Sequence, residues 1–314
     1  MSMVGIKHYL SKRGSWFFLL SSRGLLNRMD DETYLKLLFR YSMGTPLDLE
    51  HPKTYNEKLQ WLKLHDRRPL YTQLVDKLAV KDYVAEKIGP EYVIPVIAGP
   101  WDSVEEIDFD ALPDQFVLKC THDSGGVVIC RSKSSFDIEA AKDKLAKFLH
   151  RNFYWANREW PYKDVKPRLF AEPYLEDESG ELRDYKFFVF DAAVRALYIA
   201  SDRSSKEETK FDFFDADFRH LPFTNGHPNA PVPPEKPRCF EEMKALAARL
   251  GAGFPQVRVD LYEVAGHVYF GEYTFFHWSG LCPFDPPSWD QTFGSWIHLP
   301  IDEEQPFTVR KFLP

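Results

Sequence analysis

Residues Val257–Val264 and Val268–Phe275 alternate apolar and polar side chains on either side of Ala265-Gly266, the pattern of an antiparallel hairpin with one face in a core. Val259, Leu261, Phe270 and Phe275 are its core candidates, and Asp260 and Glu272 lie on opposite strands. Because side chains switch faces at every residue, turn length decides whether those two acids meet. A two-residue Ala265-Gly266 turn pairs Asp260 with Gly271 and sends Glu272 to the other face. A three-residue Val264-Ala265-Gly266 loop pairs Arg258 with Glu272 and leaves both acids on one face, about 7–8 Å apart as diagonal neighbours. Carboxylates at that spacing on a rigid ribbon can hold magnesium, so a metal site requires the odd-numbered turn. The alternative is a pair of solvated acids.

The remaining pattern is mixed. Residues 1–50 read as helical. Thr54 and Glu57 have the spacing of a capping box before a helix carrying Leu59, Trp61 and Leu62. The spacing predicts one helix from Leu74 to Ile88, capped by Gly89, then a short strand Val93–Ile97. Strands are expected at 116–120 and 127–130, around a glycine loop, and at 169–174, before a turn at Asp177–Gly180. A hairpin is expected from 185–190 and 194–200, and helices at 138–152 and 240–250. This order lacks the regular strand–helix–strand rhythm of a doubly wound sheet and gives an α+β class.

The 314 residues are 44% hydrophobic and 28% charged, a soluble globular balance. A net charge of −7 without a long basic run argues against nucleic acid as a partner. The four cysteines form no C-x-x-C pair, which fits a reduced, cytoplasmic setting. Cys120 and Cys130 flank the glycine loop, either as a pair facing across a hairpin or as core side chains. Trp16–Leu20, behind Lys12 and Arg13, is too short to span a bilayer. It suits a helix packed on the body or a peripheral membrane contact.

The loop His122-Asp123-Ser124-Gly125-Gly126 follows Lys119 but lacks the G-x-x-x-x-G-K-[ST] signature and precedes a strand, which excludes a Walker-type phosphate loop. Its glycines allow backbone N–H groups to approach phosphates; an ordinary hairpin turn is the alternative. Arg203 and Arg258 are candidates for a substrate's negative charge, since a guanidinium binds two oxygens at once; Arg258 could equally neutralise Glu272. His277 is either an acceptor contact or base, or a packed histidine.

Several longer runs carry a resemblance. His51-Pro-Lys-Thr-Tyr-Asn-Glu-Lys-Leu-Gln-Trp-Leu-Lys-Leu64, Val75-Asp-Lys-Leu-Ala79, Pro113–Cys120, Arg158–Tyr162, Asp184–Phe188, Phe254–Tyr262 and Phe270–Thr274 together resemble the TupA-like branch of the ATP-grasp enzymes, named for a teichuronopeptide biosynthesis protein. The resemblance spans roughly residues 45–300. It implies a nucleotide between two α+β lobes, with an N-terminal helical extension (1–70), a pre-grasp segment (71–112), a small lobe with the phosphate-covering hairpin loop (113–175), a C-terminal lobe with the metal site (176–300) and a tail (301–314). By position it makes Lys77 and Lys119 the phosphate lysines and His122, Ser124, Gly125 and Gly126 part of the covering loop. Glu172, Tyr174 and Leu175 fall beside adenine, Asp184 and Lys186 on the ribose or phosphate side, and Asp260 and Glu272 at magnesium. The chain departs from the family at Thr274, where an amide-type third metal ligand is common, and that puts a second metal in question.

The resemblance implies an ATP- and Mg2+-dependent ligase that joins a carboxylate to an amine through an acyl-phosphate, in bacterial surface-polysaccharide assembly. Its rivals are a glycosyltransferase using Asp215-Ala216-Asp217 as a D-x-D metal site, a phosphotransferase on the same scaffold, and a nucleotide-binding protein without turnover.

Overall fold

The computed structural model describes residues 14–178, 180, 182–201 and 208–299. Arg203, Ser179 of the expected turn and the tail 301–314 lie outside them.

Helices α1 (Ser15–Ser22), α2 (Asp31–Met43), α3 (Tyr55–His65), α4 (Leu70–Val75) and α5 (Val80–Ile88) come first. Thr54 starts α3 as expected: its hydroxyl accepts from Glu57 N at 3.2 Å, and the Glu57 carboxylate accepts from Thr54 N at 3.0 Å. The single helix expected over 74–88 is instead two. Asp76 accepts from the backbone N–H groups of Leu78 and Ala79 at 2.8 and 3.1 Å, offering the chain a turn in place of the helical ladder. The strand expected at Val93–Ile97 shrinks to one bridge, Val93 to Phe270.

A four-stranded sheet is built from β1 (Ala98–Trp101), β2 (Phe116–Cys120), β3 (Val127–Cys130) and β4 (Leu169–Pro173), in the order β1-β4-β2-β3. Helix α6 (Ile138–Leu149) packs on it, and α7 (Tyr154–Asn157) leads away. The larger sheet takes β5 (Asp184–Phe190), β6 (Ala193–Ser201) and β7 (Lys210–Asp215). A short β8 (Thr224–Asn225) and α8 (Phe240–Leu250) precede its last strands, β9 (Val257–Val264) and β10 (His267–Thr274); the order is β10-β9-β5-β6-β7. Finally β11 (Phe284–Asp285) pairs with β8, and α9 (Ser288–Ser295) follows. The Asp215-Ala216-Asp217 triplet turns at the end of β7, where Asp215 accepts from Asp217 N at 2.9 Å.

The β9–β10 hairpin corrects the turn arithmetic. The turn has two residues, Ala265 at φ 51° and Gly266 at φ 77°, and His267 pairs with Val264. The extra residue is Gly271, a bulge between Phe270 and Glu272 that resets the register so that Glu272 faces Asp260 directly and Thr274 faces Arg258. A Cβ at Gly271 would sit 3.0 Å from the Asp260 carbonyl oxygen. The acids therefore share a face, through a bulge and not through the loop.

Each sheet has its own core. Below the larger sheet Phe187 meets Phe240 of α8; above it Phe188 and Phe190 meet Tyr55 of α3 and Phe293 of α9. Helix α3 thus gives Tyr55, Leu59, Trp61 and Leu62 to the large lobe's core, while its Leu64 packs on a third cluster formed by Phe17, Tyr34, Leu35, Leu38 and Phe39 of α1 and α2. Cys120 and Cys130 are both buried in the small lobe's core, but Cys130 pairs with Phe116 at the far end of the hairpin, so the two thiols do not face each other. No described helix is long and apolar enough to cross a membrane.

Candidate active site

Register places a line of polar side chains across the apolar larger sheet. Tyr198 on β6 faces Lys186 on β5, Lys186 faces Asp260 on β9, and Asp260 faces Glu272 on β10. Asp260 is fully buried, and Lys186 donates to it while lying 3.3 Å from Asp184. Two residues along, Arg258 clamps the same carboxylate, Nε to Oδ1 and Nη2 to Oδ2, both at 2.7 Å. Burial alone would raise the Asp260 carboxyl; Arg258 and Lys186 overcome it and hold it at about 2. Arg258 thus pairs chiefly with Asp260. Glu272 stands 3.6 Å from Nη2, with its side chain 38% exposed.

The other guanidinium protons are also placed. Nη2 donates to Thr274 Oγ1 at 2.8 Å, and Nη1 reaches His277 Nδ1 at 2.8 Å and the Tyr198 hydroxyl at 3.3 Å. Arginine has no acceptor, so His277 Nδ1 must be unprotonated and its Nε2–H donates to Asn225 Oδ1 at 3.0 Å. Burial and then the Arg258 charge push His277 well below its ordinary value. It is a packed, neutral histidine that orients the arginine.

The strap bearing His277 is gripped from above by α3, a support that sequence reasoning missed. Gln60 donates to the carbonyls of Ser279 and Gly280 at 2.9 and 2.8 Å, and buried Lys63 donates to Ser279 O at 2.8 Å and Asn157 O at 2.9 Å. Burial lowers Lys63 to about 8, with Glu159 opposing. The Ser279 hydroxyl donates to Glu159, whose own carboxyl burial pushes up.

On the small lobe, Lys119 and Glu172 share a face of β2 and β4 and meet at 2.5 Å. Lys81 of α5, absent from the predicted set, binds the other Glu172 oxygen at 2.5 Å and Ile94 O at 2.6 Å. Burial would raise Glu172, yet the two lysines bring it below the usual range. Its one available signal was Lys81's position four residues after Lys77, one helical turn on. Lys77 lies against the glycine loop: its N–H donates to Thr121 O at 3.0 Å and its ammonium to Asp123 O.

Within that loop His122 is buried, its Nε2 2.9 Å from Arg151 O, so it anchors the loop to the end of α6 and does not face outward. Asp123 Oδ1 accepts from Gly126 N at 2.9 Å, and a Cβ on Gly126 would come within 2.7 Å of that oxygen and of Cys120 Sγ. Ser124 and Gly125 form the exposed tip. Tyr162 stands between the lobes: burial raises its phenol, and Glu159, Glu272, Arg258 and loop residue Asp123 all act on it. Tyr174 donates to Glu176 at 2.9 Å under the Arg131 guanidinium, with Leu175 partly exposed beside it. Asp215 and Asp217 are held by Arg219 at 3.8 and 3.5 Å, at the end of edge strand β7 and away from the row.

Among the described residues no three or more His, Cys, Asp or Glu side chains gather as a metal site. Magnesium needs fewer, since one or two carboxylates plus substrate phosphates suffice. The oxygen set fits one such ion through Glu272, which is half-exposed with only a long contact to its cation, while buried Asp260, held by Arg258 and Lys186, lies behind it.

Two antiparallel sheets, each with its own core and helices, one bearing lysines and the other a buried acid–arginine row, are the architecture of an ATP-grasp fold. The profile of the TupA-like ATP-grasp family matches residues 57–298, and the chain belongs to that family. Solved structures with a similar fold include the D-alanine–D-alanine ligase of Helicobacter pylori (13% identity, TM-score 0.45, covering 79% of this chain and 71% of that one). The L-amino acid ligase of Bacillus licheniformis is also similar (14% identity, TM-score 0.44, 82% of this chain and 57% of that one). So is the ATP-grasp ligase PsnB, solved with a minimal precursor, Mg and ADP (12% identity, TM-score 0.38, 81% and 66%). This chain thus spans less than two thirds of the latter two. No curated protein matches it.

Proposed function

We propose that the protein is an ATP- and Mg2+-dependent carboxylate–amine ligase. The observation carrying this reading is the Lys186–Asp260–Glu272 row with Arg258 fixed beside it, facing a lobe whose lysines Lys77 and Lys119 border a glycine loop. The substrate carboxylate attacks the γ-phosphorus of ATP; the bond to the β-phosphate oxygen breaks and ADP leaves. The amine nitrogen then attacks the acyl carbon, the carbon–oxygen bond to phosphate breaks, and loss of a proton from nitrogen leaves an amide. Lys77, Lys119, Lys186 and Arg258 offset charge on the transferring group, and Tyr162 helps exclude water. Glu272, with Asp260 behind it, would hold the Mg2+, which supplies charge neutralisation on the phosphates. Tyr174 and Leu175 border the adenine side, and Arg203 is a candidate for the substrate carboxylate.

The family's name supports a carboxylate on a surface polysaccharide, such as a uronic acid, with an amino acid as the amine and cytoplasmic ATP as the donor. The test is ADP release over uronic acids crossed with amino acids. Turnover that needs both substrates, and falls at least a hundredfold in Glu272→Ala, is expected. Asp260→Asn, which keeps the shape of the buried contacts, is expected to lose turnover, whereas Asp260→Ala also strands the buried Arg258 and Lys186 cations and should lose stability as well. Equal ADP release without any amine would instead favour a phosphotransferase, and nucleotide binding without release under every pairing would remove the ligase reading.

A further inference from the structure

We infer that the face of α1 bearing Trp16, Leu19 and Arg23 docks on an anionic lipid surface. Five of the eight residues of α1 are apolar, yet only Phe17 is buried; Trp16 is 46% and Leu19 49% exposed, and Leu25 just beyond is 65% exposed. Trp16 and Leu19 stand at i and i+3 on α1, and Arg23, at i+7, caps its C-terminal end on the same side. Three of the eight large apolar side chains exposed among the described residues therefore fall within ten positions. Such clustering marks an interaction surface in a way that scattered exposure does not.

Charge selects the partner. The first 29 residues contain Lys7, Lys12, Arg13, Arg23 and Arg28 and no Asp or Glu, in a chain whose net charge is −7. The acids that follow are engaged: Asp30 accepts from Thr33 N at 2.8 Å, Asp31 pairs with Arg67 at 2.6 Å and Arg158 at 3.4 Å, and Glu32 with Lys36 at 2.6 Å. Charges more than about 8 Å from Arg23 and Arg28 are largely screened, so the chain's overall sign does not decide the charge of this face. Tryptophan, leucine and arginine on one side are the components of an interfacial anchor, the rings at headgroup depth and the cations on anionic phosphates. Phe17 in the core with Tyr34 and Leu35 fixes the helix to the body, so this side is presented rigidly.

The test is sedimentation of the full chain with vesicles of phosphatidylcholine alone, or with a third of the lipid as phosphatidylglycerol. Binding is expected only to the anionic vesicles. It should weaken about tenfold or more in Trp16→Ser/Leu19→Ser and in Arg23→Glu/Arg28→Glu, all at exposed positions, with circular dichroism unchanged. Glu272→Ala should bind like the parent, which separates this surface from the reaction. Binding to neither vesicle, equal binding to both, loss confined to the charge-reversed variant, or a concentration-dependent dimer abolished by the apolar pair would each overturn the inference.

Discussion

Ala265 is held at φ 51° in a two-residue turn whose geometry needs positive φ at both positions. Alanine is strained there, whereas asparagine adopts the left-handed region readily. Ala265→Asn should stabilise the protein by about 0.5–1 kcal/mol, read as a higher denaturant midpoint at constant slope; no change would mean the strain is relieved elsewhere. His277 yields a pH prediction. Its folded value lies below its ordinary 6.5, so the unfolded chain binds more protons as pH falls through that region. Stability is then fully present above about 6.5 and lost below it. His277→Gln, which can still accept from Arg258 and donate to Asn225, should flatten the slope of stability as pH falls below 6.5. An unaltered slope would show that the imidazole does titrate in the fold.

Elements were legible where local chemistry set them. The capping box of α3, the strands around the glycine loop and the β9–β10 pair follow from side-chain type and period. Thr54→Ala should therefore cost about 1 kcal/mol in denaturant unfolding, with a null result meaning that α9 packing alone fixes the start of α3. Elsewhere a tertiary contact overrode the local signal. A period-two count cannot register a bulge, although a lone glycine inside a strand, Gly271, was the available sign. The candidate site's residue types were visible, but not their partners: nothing in the apolar positions Leu59, Trp61 and Leu62 says that Gln60 and Lys63 of α3 point inward to hold the Ser279 carbonyl. That grip gives an element-scale prediction. Lys63→Met leaves Gln60 Oε1 and Asn157 O without a donor and Ser279 O with only Gln60, and loss of about 2–4 kcal/mol is expected, together with a fall in turnover larger than any change in nucleotide affinity. A stable variant with full turnover would make the strap's support redundant.

At the scale of the whole molecule, the two sheets have separate cores, and the cations facing the gap between them are paired with acids within each lobe. Glu172 satisfies Lys119 and Lys81 on one side, while Asp260 satisfies Arg258 and Lys186 on the other. On the proposed function, a triphosphate entering between them would compete with Glu172 for Lys119 and with Asp260 for Lys186, so binding should exchange contacts within lobes for contacts between them. A nonhydrolysable ATP analogue with Mg2+ should then slow amide exchange in both the β2–β3 hairpin and the β9–β10 hairpin. Without Mg2+ the protection should persist at β2–β3, where lysine does the holding, and fade at β9–β10, where Glu272 needs the ion to meet a phosphate. In Glu272→Ala the metal should make no difference at β9–β10. Protection of β9–β10 that ignores both the metal and Glu272 would mean the lobes close on the nucleotide without the acid row, and the site would have to be sought on other side chains.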